Sequence, residues 1–202
     1  MFHNSQIAYK ILMVWIGLLS SIIPSFGIVE HDSIFKLTLP TINHGVVDLS
    51  SLKNKHAVII VFLSPECPLC KSYTSTLNQL YKEYGDKGIE LLGVVPGKSY
   101  SLADIKKYNR KYQLDFKLLL DSDYKITRIL NATVTPEVFL INSKGDILYS
   151  GKIDNWAVSI KRKRQVITEH YLNTAITATL GNDPIKLNRT QPVGCLIDIV
   201  NE

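Results

Sequence analysis

Cysteine is scarce, with three residues in a chain of 202, too few for a disulfide framework but enough for one redox site. Glycine (11) and proline (8) are also sparse, which excludes collagen-like repeats and Pro/Gly-rich disorder. Neither charge dominates. The 23 Lys and Arg against 18 Asp and Glu leave a net charge of +5, too small an excess to argue a nucleic-acid partner. A second C-x-x-C and an H-x-x-H are both missing, so the pattern supplies no four-ligand zinc set. What is abundant is apolar: 46% hydrophobic with 20% charged residues supports the buried core of one domain.

Acidic residues are absent from positions 1–27, where Lys10 is the one Lys or Arg. An apolar run at 11–23 follows, then Pro24, Ser25, Phe26 and Gly27. A charged start, a short apolar stretch and small residues at Ser25 and Gly27 form a signal-peptide pattern cleaved after Gly27. The run is 13 residues, short of the roughly 20 needed to span a bilayer. An uncleaved N-terminal anchor is the alternative. Either reading places the folded part outside the cytoplasm, in the periplasm or its equivalent, where cysteine pairs persist as disulfides.

From Ile34 onward, strand-like and helix-like segments alternate. Phe35, Leu37 and Leu39, then Val47 and Leu49 after His44-Gly45, predict an N-terminal β-hairpin. The continuous apolar run 57–63 predicts a central strand buried on both faces. A helix over 70–84, a strand over 89–95, a helix over 102–112 capped by Ser101, a strand over 116–120 and a helix over 124–130 follow. Strands at 138–141 and 147–149 flank a turn, and a helix is predicted over 166–180. This is an α/β fold: a central mixed sheet flanked by helices. The domain boundaries read as 1–27 leader, 28–181 folded domain, and 182–202 a tail carrying Cys195.

The chemistry falls on Cys67-Pro68-Leu69-Cys70, at the junction of the buried strand and the next helix. Free N–H groups and the positive end of the helix dipole favour a thiolate there. Cys67 is then the exposed attacking sulfur and Cys70, one turn on, the resolving one. Pro68 suits the first helical turn, whose N–H has no intrahelical partner. Thr135-Pro136 directly precedes a strand, which predicts a cis X–Pro turn that offers the backbone of Thr135 to an extended substrate peptide.

The runs Phe35-Lys-Leu-Thr-Leu, Gly45 to Lys55, Val61-Phe-Leu-Ser-Pro-Glu-Cys67-Pro-Leu-Cys70 and Thr135-Pro-Glu-Val-Phe-Leu-Ile resemble the redoxin branch of the thioredoxin superfamily. That branch holds extracytoplasmic thiol–disulfide oxidoreductases and peroxiredoxins. The Gly194-Cys195 ending resembles a bacterial redoxin-like subgroup with a Gly-Cys near its C-terminus. The resemblance implies a thioredoxin-like fold over about residues 34–180 and exchange of disulfides with protein thiols. It implies no organic cofactor, the redox-active disulfide serving instead. The implied partners are thiol or disulfide clients and a membrane or periplasmic thiol electron donor.

Two alternatives stay open. Peroxiredoxins use a Pro-x-x-x-Thr/Ser-x-x-Cys loop and an arginine; Ser64 matches the hydroxyl, but Ile60 replaces the proline and Pro136 stands in the arginine's place. A thiol peroxidase would use Cys67 with Cys195 or Cys70 as resolving thiol. Copper chaperones of the synthesis-of-cytochrome-oxidase type share the fold but use C-x-x-x-C and a downstream His, and here no His lies between Cys70 and His170. Two thiolates still suit Cu(I), which makes copper delivery the third reading.

Thioredoxins bury an Asp six residues before the first Cys, where this chain has Val61, so Glu66 or a water is the expected proton carrier for Cys70. Cys195 reads either as a small buried hydrophobe or as a thiol that folds back onto Cys67. The basic run at 161–164, Lys-Arg-Lys-Arg, reads as a solvated turn or as a contact for an anionic surface. His170, beside the last helix, reads as a packed core-edge residue.

Overall fold

The computed structural model describes residues 31–199. The leader or anchor expected over 1–27 lies outside them. The chain opens with a 3₁₀ turn, His31–Lys36, where the sequence pattern predicts a strand. Ile34 and Phe35 both enter the same core, which adjacent side chains of a strand, pointing to opposite faces, cannot do, so the segment coils. The predicted hairpin is present but shorter: β1 (Thr38–Pro40) pairs antiparallel with β2 (Val46–Asp48).

Six consecutive buried residues form β3 (Ala57–Phe62), which an alternating pattern could not place at the centre of a sheet. It pairs in parallel with β4 (Ile89–Pro96), and β4 pairs in parallel with β5 (Lys117–Asp121). On its other side β3 pairs antiparallel with β7 (Glu137–Asn142), followed by β8 (Ile147–Gly151). The order is β5-β4-β3-β7-β8. A two-residue strand, β6 (Val134–Thr135), precedes β7.

Alternate residues of the sheet feed two cores. Ile59, Val61, Leu91, Val138 and Leu140 pack with α1 (Pro68–Tyr84), α2 (Leu102–Tyr112) and α4 (Tyr171–Leu180). Val58, Ile60, Phe62, Leu92 and Phe139 pack on the other face with Ile34, Phe35 and α3 (Lys125–Leu130). This is the expected thioredoxin-like α/β arrangement, with helices on both faces of a mixed sheet. Ser101 caps α2 by accepting from the Asp104 N–H, as its position predicts. The N-terminus of α3 is held instead by the buried Asp121 carboxylate, which accepts from the N–H groups of Ile126 and Thr127.

The last helix starts at Tyr171, five residues later than the pattern predicts. Leu172, Ala175 and Ile176 of the expected apolar face are buried, with Tyr171 packed beside them, but Val166 is 68% exposed and the chain is not helical there. The basic run 161–164 is exposed and lies in a turn, where the Arg164 N–H donates to the Trp156 carbonyl and Lys163 covers the Trp156 ring at 4.6 Å. It therefore does not abut the helix, which begins at Tyr171. His170 is the exposed N-cap residue of α4, not a packed core-edge histidine.

The tail packs along the domain. Ser150 in β8 donates its N–H to Asn188 O and accepts from Thr190 N–H, both at 3.0 Å. Gly151 sits at φ +126°, and a Cβ there would lie 2.2 Å from the Thr190 carbonyl oxygen. The tail then forms β9 (Cys195–Leu196), antiparallel to β6.

Backbone strain at a Gly-only φ costs about 1–3 kcal/mol. Gly151→Ala should therefore lower the urea unfolding free energy by about that amount. An unchanged unfolding curve would contradict the contact between β8 and the tail.

Candidate active site

Strand β3 ends at Phe62, and the turn at 63–66 delivers the chain to Cys67, the N-cap of α1. Pro68 occupies the first helical position, as expected. The cap has no side-chain hydrogen bond of its own, which leaves the helix N-terminus to the sulfur. One turn on, Cys70 is fully buried and accepts from the Ser64 N–H at 3.4 Å. Across the groove, the Thr135–Pro136 peptide is cis, as its sequence position predicts. It brings the Thr135 carbonyl to 3.0 Å from Cys67 Sγ.

A third sulfur completes the cluster. Cys195 Sγ lies 2.8 Å from Cys67 Sγ, and all three cysteines are free thiols. Cys67 is only 2% exposed, which corrects the expectation of an open attacking sulfur: the returning tail covers it.

The three thiols are not equivalent. A hydrogen bond from the Cys70 thiol, helped by the Cys195 thiol and the backbone N–H groups of Cys70 and Cys195, lowers Cys67 to about 5 against the opposing cost of its burial. Burial first, and then the hydrogen bond and charge of Cys67, push Cys70 far above the ordinary thiol range. The same causes in the same order raise Cys195 to about 12, with Lys71 acting weakly the other way. One thiolate held by two thiols is the arrangement that exchange chemistry needs. As a thiol, Cys67 donates to Thr135 O; as a thiolate, it gives up that bond and receives the others.

The structure thus brings together Cys67, Cys70, Thr135, Pro136, Cys195 and Ser64. The Ser64 hydroxyl donates to the Tyr100 hydroxyl at 2.8 Å. Glu66 is exposed and is not among the groups acting on Cys70, so its expected role as proton carrier finds no support in the geometry. Two partners were missed from sequence. Tyr108 donates to the Cys70 carbonyl at 3.4 Å, and its position on α2 gave no such signal. The buried Glu137 carboxylate accepts from Thr133 N–H and Val134 N–H and so holds the loop before Pro136. An acid directly after a Thr-Pro turn could have suggested it. Among the described residues, no group of three or more His, Cys, Asp or Glu is arranged to hold a metal ion.

Comparison with known proteins agrees with this construction. The family model described as AhpC/TSA family matches residues 31–150. The thiol-disulfide oxidoreductase ResA of Bacillus subtilis is 25% identical over 150 residues, covering 68% of this chain and 82% of the relative. A probable phospholipid hydroperoxide glutathione peroxidase of Nicotiana sylvestris is 27% identical over 168 residues, covering 78% of this chain and 94% of the relative. In fold, a hypothetical protein from Sinorhizobium meliloti superposes with a TM-score of 0.71 at 20% identity, covering 80% of this chain and 89% of that one.

The low Cys67 value carries a pH signature. In the reduced protein, thiolate ultraviolet absorbance should appear with a midpoint near 5, and Cys195→Ala, which removes a donor, should raise that midpoint. Between about 5 and the ordinary 9.0 the unfolded thiol keeps its proton while the folded one has lost it, so stability rises with pH across that window. The contribution is full above 9.0 and is lost as pH falls through 5. A midpoint in the ordinary thiol range would contradict the donor assignment.

Proposed function

The chain belongs to the AhpC/TSA family, and on that premise we propose that it is an exported thiol–disulfide oxidoreductase that exchanges disulfides with protein thiols through Cys67 and Cys70. The observation that carries this reading is the pairing of a depressed Cys67 at a helix N-terminus with a buried, protonated Cys70 one turn behind it.

In the reducing direction, the Cys67 thiolate attacks one sulfur of a client disulfide. A Cys67–client disulfide forms, and the other client sulfur leaves and takes a proton. Bond formation removes the negative charge on Cys67, and with it the hydrogen bond and charge that help hold the Cys70 proton. Cys70 then attacks Cys67 Sγ, its proton passes to the departing client sulfur, and a Cys67–Cys70 disulfide remains. Two electrons have moved from the dithiol to the client; the reverse sequence oxidises a client dithiol. The reading needs no organic cofactor, because the cysteine pair itself stores the electrons. An external thiol donor, membrane-bound or periplasmic, would regenerate the dithiol.

Extracytoplasmic placement rests on the leader pattern of residues 1–27. Among the described residues, no helix is long and apolar enough to cross a membrane. The exposed basic turn at 161–164 supplies a contact for an anionic surface, and no feature of the chain favours nucleic acid.

A second reading, thiol peroxidase, is favoured by the likeness to the plant peroxidase and by Ser64 three residues before Cys67. Against it, Ser64 is committed to Tyr100, and Pro136, at the position where the family's arginine is expected, supplies no cation to polarise a peroxide.

Cys67→Ser should abolish reduction of a peptide disulfide, and Cys70→Ser combined with Cys195→Ser, which removes both thiols beside Cys67, should accumulate a Cys67–client mixed disulfide that resists release. Non-reducing gels with client identification by mass measure both. Wild-type turnover of hydrogen peroxide with no turnover of peptide disulfides would replace the first reading with the second.

A further inference from the structure

The edge that a client peptide would use beside Cys67 is filled by the chain's own C-terminus. Strand β9 pairs with β6 in the register Thr135↔Cys195 and Val134↔Leu196. Beyond it, the Ile197 N–H donates to Thr133 O and the Tyr124 hydroxyl donates to Asp198 O, both at 2.9 Å. Upstream, the Thr190 hydroxyl is tied to Lys152 N–H at 2.8 Å and to the Tyr149 hydroxyl at 2.7 Å. The tail is thus held on both sides of Cys195.

The approach at Cys195 is closer than most residues allow. A Cβ on Gly194 would lie 2.3 Å from Thr135 O and 3.1 Å from Pro136 N. Glycine alone lets the backbone lie flat on that peptide. The tail rests Val193 and Ile197 against the cores, leaves Leu196 85% exposed and turns the Cys195 thiol toward Cys67. A disulfide bond is about 2.05 Å long, so a bond between the two sulfurs needs movement of less than about 1 Å.

We propose that residues 193–198 are a tethered client strand and that Cys195 is a second, in-chain resolving thiol for Cys67. Peptide clients and the tail compete for the same Thr135 backbone, so a client reaches Cys67 by displacing the tail. After Cys67 has attacked a disulfide, one half of it stays on Cys67 and the other has left as a thiol. The returning Cys195 attacks Cys67 Sγ and its proton passes to the leaving sulfur. A Cys67–Cys195 bond forms, two electrons have passed to the original disulfide, and Cys70 keeps its proton. The closed, oxidised chain is therefore bridged through its tail, and Cys70 resolves only while a client holds the groove open. The bridging step rests on the exchange reading above; the covering of Cys67 does not.

The test uses full-length wild type, Gly194→Val, which the Thr135–Pro136 peptide cannot accommodate, and Cys195→Ser, which keeps the strand and loses the thiol. In the reduced proteins, a bulky maleimide should label Cys67 at least about tenfold faster in Gly194→Val than in wild type, because labelling follows opening of the tail. Cys195→Ser should stay slow. After oxidation by a small disulfide, peptide mapping should find Cys67–Cys195 in wild type and Cys67–Cys70 in both variants. Equal labelling of wild type and Gly194→Val, or a Cys67–Cys70 bridge in wild type with Cys195 free, overturns the proposal. Labelling of the reduced protein involves no exchange, so a chain that forms no Cys67 disulfide in any variant refutes the exchange reading instead.

Discussion

Everything at this site depends on one negative charge held on Cys67. A buried thiolate is costly unless several donors converge on it, and here they come from two directions. The first turn of α1 supplies a backbone N–H and the Cys70 thiol; the tail supplies the Cys195 N–H and thiol. The rest of the fold can be read as the means of bringing those donors together. A fully buried β3 fixes where α1 begins, Glu137 fixes the loop before Pro136, and the free edge of β8 guides the tail back.

The same arrangement explains why three similar thiols behave differently. Each proton that remains on Cys70 or Cys195 helps hold the charge on Cys67, and that charge in turn holds those protons in place. The share of that asymmetry that the Cys67 charge imposes is lifted once Cys67 enters a disulfide, which is when a second thiol has to act, while burial continues to raise Cys70. Ionisation and exchange are therefore linked through the same contacts. Family membership is compatible with either exchange or peroxide chemistry. The groove favours exchange: Thr135 presents a peptide edge beside the sulfur, and the chain's own strand pairs with it.

Much of this was legible in the sequence. The apolar run 57–63, the C-x-x-C at its end and Thr135-Pro136 each carry a local signal strong enough to survive folding, and the sheet, the cap and the cis bond followed. What the sequence did not show was decided by long-range packing. The adjacent Ile34 and Phe35 read as part of an alternating strand until both had to be buried. Helix α4 looked longer because Ile167 keeps its period with Tyr171, yet the chain turns helical only at Tyr171 and Val166 stays 68% exposed. The burial of Cys67 could not be seen locally, since its cover comes from 128 residues away. Gly194 beside Cys195 was visible as a motif, but its purpose depends on the Thr135 carbonyl that it meets.

The central claim is that Cys67 is the sulfur through which electrons enter and leave this protein. The most direct measurement is to equilibrate the full-length wild-type chain across a series of glutathione redox buffers and count free thiols by mass after alkylation. The account predicts that two thiols disappear together in one two-electron transition, and that Cys67 is one of them. A chain that keeps all three thiols throughout the series, or that loses a pair excluding Cys67, would contradict it.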